Sequence, residues 1–233
     1  MSHVFDLEVE FLNLFDSCRA ATMTSVERMY ALYQATCHVL DRDVPGDLVE
    51  CGVWRGGSVM LMAYTLLARG CTDRTIWLYD TFDGVPPPGD EDVQEMTGRR
   101  AREILDERER SQDDPFWGIA PRELVERNLR LTRYPMHLFR FVEGDVMETI
   151  PAEAPASLSL LRLDTDWYQS TRHELEQLYP RLSPGGVLIV DDYGYWRGAR
   201  RATDEYFQTL EARPLLNRID YTGRICVKPF EAR

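Results

Sequence analysis

Lysine is almost missing from this chain of 233 residues: of its 27 basic side chains only Lys228 is a lysine, and the rest are arginines. A Schiff-base lysine, a phosphate loop ending in Gly-Lys-Ser/Thr and a Tyr-x-x-x-Lys hydride-transfer pair each need lysine inside a motif. Lys228 stands in Val-Lys-Pro near the C-terminus, so these chemistries fall away. The arginine bias itself fits the codon usage of a high-GC genome. Positive charge is scarce overall. Thirty-nine acids give a net charge of −12, and phosphate-backbone recognition needs a concentrated positive field, so nucleic acid is not an expected partner. Cysteine is sparse and odd in number (Cys18, Cys37, Cys51, Cys71 and Cys226), without a Cys-x-x-Cys pair. That argues against a disulfide framework or a zinc site and for reduced thiols in a cytoplasmic protein. No apolar run approaches the ~18 residues of a membrane span. Asp6, Glu8 and Glu10 interrupt the apolar start of the chain, so no signal peptide is expected. The four histidines offer no motif: His3 and His38 lie outside the core pattern, His137 falls at a strand start, and His173 on a helix reads as a packing or surface residue.

What is present is an alternation of short apolar runs with longer amphipathic ones from residue 46 onward, the pattern of a parallel sheet covered by helices on both faces. Strands are expected at Leu48–Val53, Thr75–Tyr79, Leu138–Val142, Leu158–Leu163 and Val187–Val190, with helices beginning near Ser58, Arg122, Thr171 and Arg197. Leu215–Tyr221 and Arg224–Val227 flank Thr222-Gly223, a turn signal that predicts a closing antiparallel hairpin. Together these outline an α/β, Rossmann-like class I methyltransferase fold: a mostly parallel seven-stranded sheet with a C-terminal antiparallel hairpin and an N-terminal helical extension. No linker or repeat divides the chain, so residues 1–233 form one domain. Within it, residues 1–45 supply N-terminal helices, with Phe11, Leu14 and Phe15 and then Met29, Leu32 and Tyr33 at helical spacing, to pack on the core or act as a lid. Residues 83–118 are an insertion holding Pro86-Pro87-Pro88, the acidic patch Asp90-Glu91-Asp92 and a charged helix around Arg99–Arg110. A stretch that long after a strand is a candidate substrate lid, a mobile loop or merely a solvated helix.

The first strand runs into Glu50-Cys51-Gly52-Val53-Trp54-Arg55-Gly56-Gly57-Ser58. Gly52 permits a sharp turn, and Gly56 and Gly57 let backbone amides approach a ligand at a helix N-terminus. Nicotinamide and flavin enzymes share this geometry, yet Glu50 would repel a pyrophosphate and suits a cationic ligand such as S-adenosylmethionine, with its amino group and sulfonium. The plainer reading is a solvated Glu50 and a helix capped by Ser58. Asp80, ending the second strand, is placed for ribose hydroxyls, and Asp145 after the third for an adenine amino group; either could instead cap a loop.

The strongest chemical signal is Asp164-Thr165-Asp166 at the end of the fourth strand and Asp191-Asp192 at the end of the fifth, which a parallel sheet sets side by side. Two like charges ~4 Å apart cost several kcal/mol, so the cluster calls for protonation or a cation. An all-oxygen set favours a hard ion, Mg²⁺ or Ca²⁺, over zinc. Asp164, Asp191 and Asp192 are assigned to the metal. Asp166, one pleat beyond Asp164 and on its face, is left as the general base. An acid-rich rim without metal is the alternative.

These motifs, with Thr22-Met23-Thr24, Asp80-Thr81-Phe82-Asp83-Gly84, Gly144–Pro151, Asp164–Thr171, Ser183-Pro184-Gly185-Gly186 and Asp191–Gly194, resemble the macrocin O-methyltransferase family over nearly the whole chain. The resemblance implies a magnesium-dependent transfer of methyl from S-adenosylmethionine to a sugar hydroxyl of a glycosylated, antibiotic-type natural product. By it, Asp164, Asp191 and Asp192 match the metal ligands and Asp166 the base. Thr22, Met23, the turn from Glu50 to Ser58 (Gly52, Arg55, Gly56 and Gly57 included), Asp80 and Thr81 match the cofactor contacts. The expected partner is a small-molecule glycoside or diol, with neither membrane nor nucleic acid, and a homo-oligomer is expected. A catechol-like acceptor, a nicotinamide oxidoreductase and a non-catalytic acidic binding protein are the competing readings. The first differs only in the acceptor, the second is disfavoured by Glu50 and the missing lysine, and the third would show no S-adenosylmethionine binding.

Overall fold

A computed structural model describes residues 6–230; His3 and the chain ends of the expected single domain lie outside them. Two helices, α1 (Val9–Cys18) and α2 (Val26–Asp41), precede β1 (Asp47–Cys51), α3 (Gly57–Ala68) and β2 (Ile76–Asp80). Then come α4 (Ala101–Asp106), α5 (Arg122–Leu131), β3 (Phe139–Glu143), α6 (Val146–Thr149), β4 (Leu158–Leu163) and α7 (Tyr168–Leu178). The chain closes with β5 (Leu182–Val190), α8 (Arg197–Gln208), β6 (Asn217–Arg218) and β7 (Arg224–Val227). The strands form one sheet in the order β3-β2-β1-β4-β5-β7-β6, parallel except for β7 and β6.

Period-two alternation explains the two cores. Leu48, Leu78, Leu160, Val187 and Ile189 pack with Phe11, Met29, Leu32, Leu61 and Leu129 on one face, while Val49, Cys51, Leu161, Leu163, Leu188 and Val190 meet Leu175, Leu178 and Phe207 on the other. The N-terminal helices are therefore core elements: Phe11 and Phe15 of α1 and Met29, Leu32 and Tyr33 of α2 are buried.

Several sequence-read boundaries shift for local reasons. β5 starts five residues earlier than expected, at Leu182, because Leu182 pairs with Leu158 and Ser183-Pro184-Gly185-Gly186, with Gly185 at φ +81, bulges between that pair and Leu160–Val187. The first hairpin strand shortens to Asn217–Arg218, since Asp220 Oδ1 accepts from the amides of Thr222 and Gly223 and turns the chain early. In the insertion only Ala101–Asp106 is α-helical.

Candidate active site

The carboxyl ends of β1, β2, β4 and β5 open into a cavity of about 340 Å³, the position at which open α/β sheets bind ligands. Its wall at β1 is the glycine-rich turn. Gly52 (φ +80) could bear no side chain, since a Cβ there would overlap the Asp164 carbonyl oxygen. The first turn is thus seated on the loop after β4. A Cβ on Gly57 would come within 2.7 Å of Thr22 Cβ, so the missing side chain lets the segment before α2 close on the start of α3. Thr22, Met23, Glu50, Gly52, Gly57, Ser58, Asp80, Thr81 and Asp145 all line the cavity.

Some of these residues do other work than the sequence led one to expect. The Arg55 guanidinium lies over the Trp54 ring, 4.6 Å from its centroid, and neither Arg55 nor Gly56 is among the lining residues. Gly56, with φ +87, occupies the position before α3. Ser58 is therefore inside the helix, not its cap, and its hydroxyl contacts Met29 Sδ. Asp80 spends both oxygens on the turn: Oδ2 accepts from Val53 N (2.6 Å) and Trp54 N (3.0 Å), and Oδ1 from Phe82 N (2.8 Å). It fixes the shape of the loop that a ligand would touch. Asp145 caps α6 through Met147 N. Among the histidines, His173 faces the Ile150 carbonyl and His38 the Gly185 carbonyl, and neither lines the cavity.

The acidic cluster forms, but protein cations share it. Asp164, Asp191 and Asp192 each offer an oxygen, the three lying within 4.8 Å of one another. Arg162, read from sequence only as part of the fourth strand, is 2% exposed. It pairs directly with Glu50 across β1 and β4 and lies 2.8 Å from both Asp164 Oδ2 and Asp191 Oδ1. Arg28 of α2 reaches Asp191 Oδ2 and, at 3.0 Å, Asp220 Oδ2. Glu50 is thus no solvated strand end: Oε1 lies on Arg162, while buried Oε2 has no partner. The signal for Arg162 was available, as a charged residue inside an otherwise apolar buried strand must have partners; Arg28 carried none.

Asp166 joins the cluster by a route other than strand alternation. β4 ends at Leu163, and Asp166 sits in the following loop with φ +65. Its Oδ1 accepts a 2.8 Å hydrogen bond from Trp196 Nε1. Burial and then the neighbouring Asp164 push its carboxyl up to about 7, against the Trp196 bond. Burial likewise raises Asp164 to about 6, opposed by Arg162, and holds Asp192 well above the carboxylate range, with Asp166 and Asp164 adding to it. Below the loop, buried Glu174 accepts from Thr165 Oγ1 and is pushed up to about 8 by burial. The acids therefore resist ionising together. The all-oxygen donor set, and the buried Asp192 Oδ2 with no protein partner, fit a hard divalent ion.

The insertion is a docked roof. Ala101, Ile104 and Leu105 pack with Trp167, Trp196 and Ala199. Trp167 Nε1 donates to the Pro86 carbonyl, Gln94 Nε2 to Tyr195 Oη, and Arg197 to Glu95. Asp92, the last residue of the acidic patch, is fully buried: Oδ1 accepts from Tyr168 N at 2.8 Å and Oδ2 from Gly89 N. It supplies the cap that α7 lacks from its own N-cap residue.

The strand order, the glycine turn seated against β4 and the carboxylate-lined cavity define a Rossmann-like class I methyltransferase. The described fold superposes on that of the O-methyltransferase NovP with a TM-score of 0.78 at 34% identity, over 90% of this chain and 83% of that one. Residues 16–228 match the model of the macrocin O-methyltransferase family, TylF. Curated relatives include demethyldecarbamoylnovobiocin O-methyltransferase of Streptomyces niveus, 36% identical over 88% of this chain and 74% of that one. Another is mycinamicin III 3''-O-methyltransferase of Micromonospora griseorubida, at 34% over 80% and 70%. The chain belongs to the macrocin O-methyltransferase family and is an O-methyltransferase. No described helix is long and apolar enough to cross a membrane.

Proposed function

We propose that this protein methylates a sugar hydroxyl of a glycosylated, antibiotic-type natural product, with S-adenosylmethionine as donor and Mg²⁺ as cofactor. The observation that carries the reading is Asp166, held by Trp196 beside the triad Asp164, Asp191 and Asp192. The names of the relatives support the acceptor class, since they include enzymes of novobiocin and mycinamicin compounds. The cavity's charged lining supports it too. Glu50, Asp80, Asp145, Asp164, Asp166, Asp191 and Asp192 line the cavity with Arg28, while buried Arg162 pairs with Glu50, Asp164 and Asp191, an acid-rich lining that suits a cationic donor and a neutral or cationic acceptor.

Asp164, Asp191 and Asp192 would hold Mg²⁺, which when bound supplies a Lewis acid that lowers the pKa of a coordinated hydroxyl. Asp166 Oδ2, the oxygen not engaged by Trp196, takes the hydroxyl proton. The acceptor oxygen forms its bond to the methyl carbon as the carbon–sulfur bond breaks, leaving S-adenosylhomocysteine. Glu50 and the Thr22–Thr24 segment, which line the cavity, would contact the donor, and Pro86, Phe116 and Trp167 line it on the insertion side. Most of the acceleration comes from positioning and charge neutralisation.

The test is a panel of glycosides and catechols assayed with S-adenosylmethionine and Mg²⁺. Turnover of glycosides, reversible loss with EDTA, and collapse in Asp166→Asn with donor binding retained are the expected results. Catechol-only turnover would move the acceptor class. Full activity in metal-free buffer defeats the magnesium reading, and unchanged turnover in Asp166→Asn removes that residue from the role.

A further inference from the structure

Asp191 has both carboxylate oxygens on arginines: Oδ1 on Arg162 and Oδ2 on Arg28. The two guanidiniums are held very differently. Arg162 has a side chain 3% exposed and also binds Glu50 and Asp164, so it is a fixed part of the sheet. Arg28 lines the cavity from α2, and its Nε lies on Asp220 Oδ2 at 3.0 Å. Ser25 Oγ donates to that same Asp220 oxygen, and Gly223, whose Cβ would press on the Arg28 stem at 3.0 Å, leaves the arginine its room. Arg28 therefore has a second, independently built anchor. It can release Asp191 without losing its ion pair.

The other two triad acids are less committed. Asp164 shows one oxygen on Arg162, and Asp192 Oδ2 is buried without a partner. Arg162 is fixed on Asp164 Oδ2 and Asp191 Oδ1, so the cation that a divalent ion entering the triad can displace is Arg28 at Asp191 Oδ2, where a retained guanidinium would repel it. We infer that Arg28 is an exchangeable counter-cation: it neutralises Asp191 in the metal-free protein, yields Oδ2 to the arriving ion, and stays anchored on Asp220. The inference rests on the magnesium reading of the triad. It makes metal binding a competition and ties it to contacts between α2 and the turn before β7.

The experiment titrates the full-length protein with Mn²⁺, read by the loss of the free-ion paramagnetic resonance signal, with thermal melting as a check on folding. Arg28→Met, which keeps the stem and removes the charge, is expected to bind Mn²⁺ at least about tenfold tighter than wild type. Asp220→Asn, which weakens the second anchor and leaves Arg28 more firmly on Asp191, is expected to bind it more weakly. Equal or weaker binding in a folded Arg28→Met overturns the inference, as does unchanged binding in Asp220→Asn should Arg28→Met fail to fold. Failure of the underlying reading looks different: Mn²⁺ binding would then be insensitive to Asp164→Asn and Asp192→Asn, or saturable in no variant, and the inference falls with it.

Discussion

Trp196 Nε1 donates a 2.8 Å hydrogen bond to Asp166 Oδ1, joining the start of α8 to the loop after β4. Trp196 is 2% exposed and meets Trp167 edge to face at 5.1 Å, so the donor cannot swing away. A carboxylate in a left-handed loop has no strand to aim it, and the indole does that work. Trp196→Phe keeps the ring packing and deletes the donor. A hydrogen bond to a charged group is worth about 1.5–3 kcal/mol, so kcat should fall at least about tenfold with KM for the acceptor little changed. An unchanged kcat would show that Asp166 needs no such aim.

Arg162→Met leaves Glu50, Asp164 and Asp191 without their shared counter-ion. Breaking a buried ion pair by removing one partner costs about 3–5 kcal/mol, and for a chain of this size that is roughly a 10 °C fall in Tm. Calorimetry at pH 7 measures it. A shift within a degree or two would mean that the acids are protonated in the folded protein and need no arginine.

Glu174 gives stability a pH dependence of definite sign. Burial raises its folded carboxyl from the ordinary glutamate range to about 8. A group that keeps its proton only when folded stabilises the protein most below its unfolded value and loses that contribution as the pH rises through the folded one. The difference in stability between wild type and Glu174→Gln should therefore move against wild type between about pH 5 and pH 8, at no more than about 1.4 kcal/mol per pH unit. Melting curves that stay parallel across that window would place an ionised carboxylate beside Thr165.

How legible the site was depends on the range over which each residue acts. The β1 turn and the acids after β4 and β5 were readable because alternation and chain order alone bring parallel strand ends together. The carboxylate triad follows from the same rule, as Asp191 and Asp192 continue β5 directly. Arg28 and Asp92 were not readable. Each acts on a partner far away in the chain, Asp191 and Tyr168, and a charged residue in an amphipathic helix or a charged loop looks the same whether solvated or buried. Asp80 was placed at its strand end with two readings, a ribose contact or a loop cap, and the three backbone amides that its oxygens accept from are what the sequence does not show.

Asp92 makes the roof and the loop after β4 one unit. Its Oδ1 caps α7 at Tyr168 N, just after Asp164–Trp167, while Oδ2 holds Gly89 in the insertion, and Gly198 of α8 is seated against the same carboxylate. Asp92→Ala uncaps the helix, at about 1–2 kcal/mol, and unpins the segment that carries Arg99, Arg100, Arg102, Arg108 and Arg110. Trypsin should then cut the folded variant within residues 99–110 at a protein concentration and time that leave wild type whole, and the acceptor KM should rise. Asp92→Asn, which keeps an acceptor oxygen for Tyr168 N, should recover most of the resistance. Equal cleavage of Asp92→Ala and wild type would mean that the apolar contacts of Ala101, Ile104 and Leu105 with Trp167 and Trp196 hold the roof by themselves, so that Asp92 serves α7 alone.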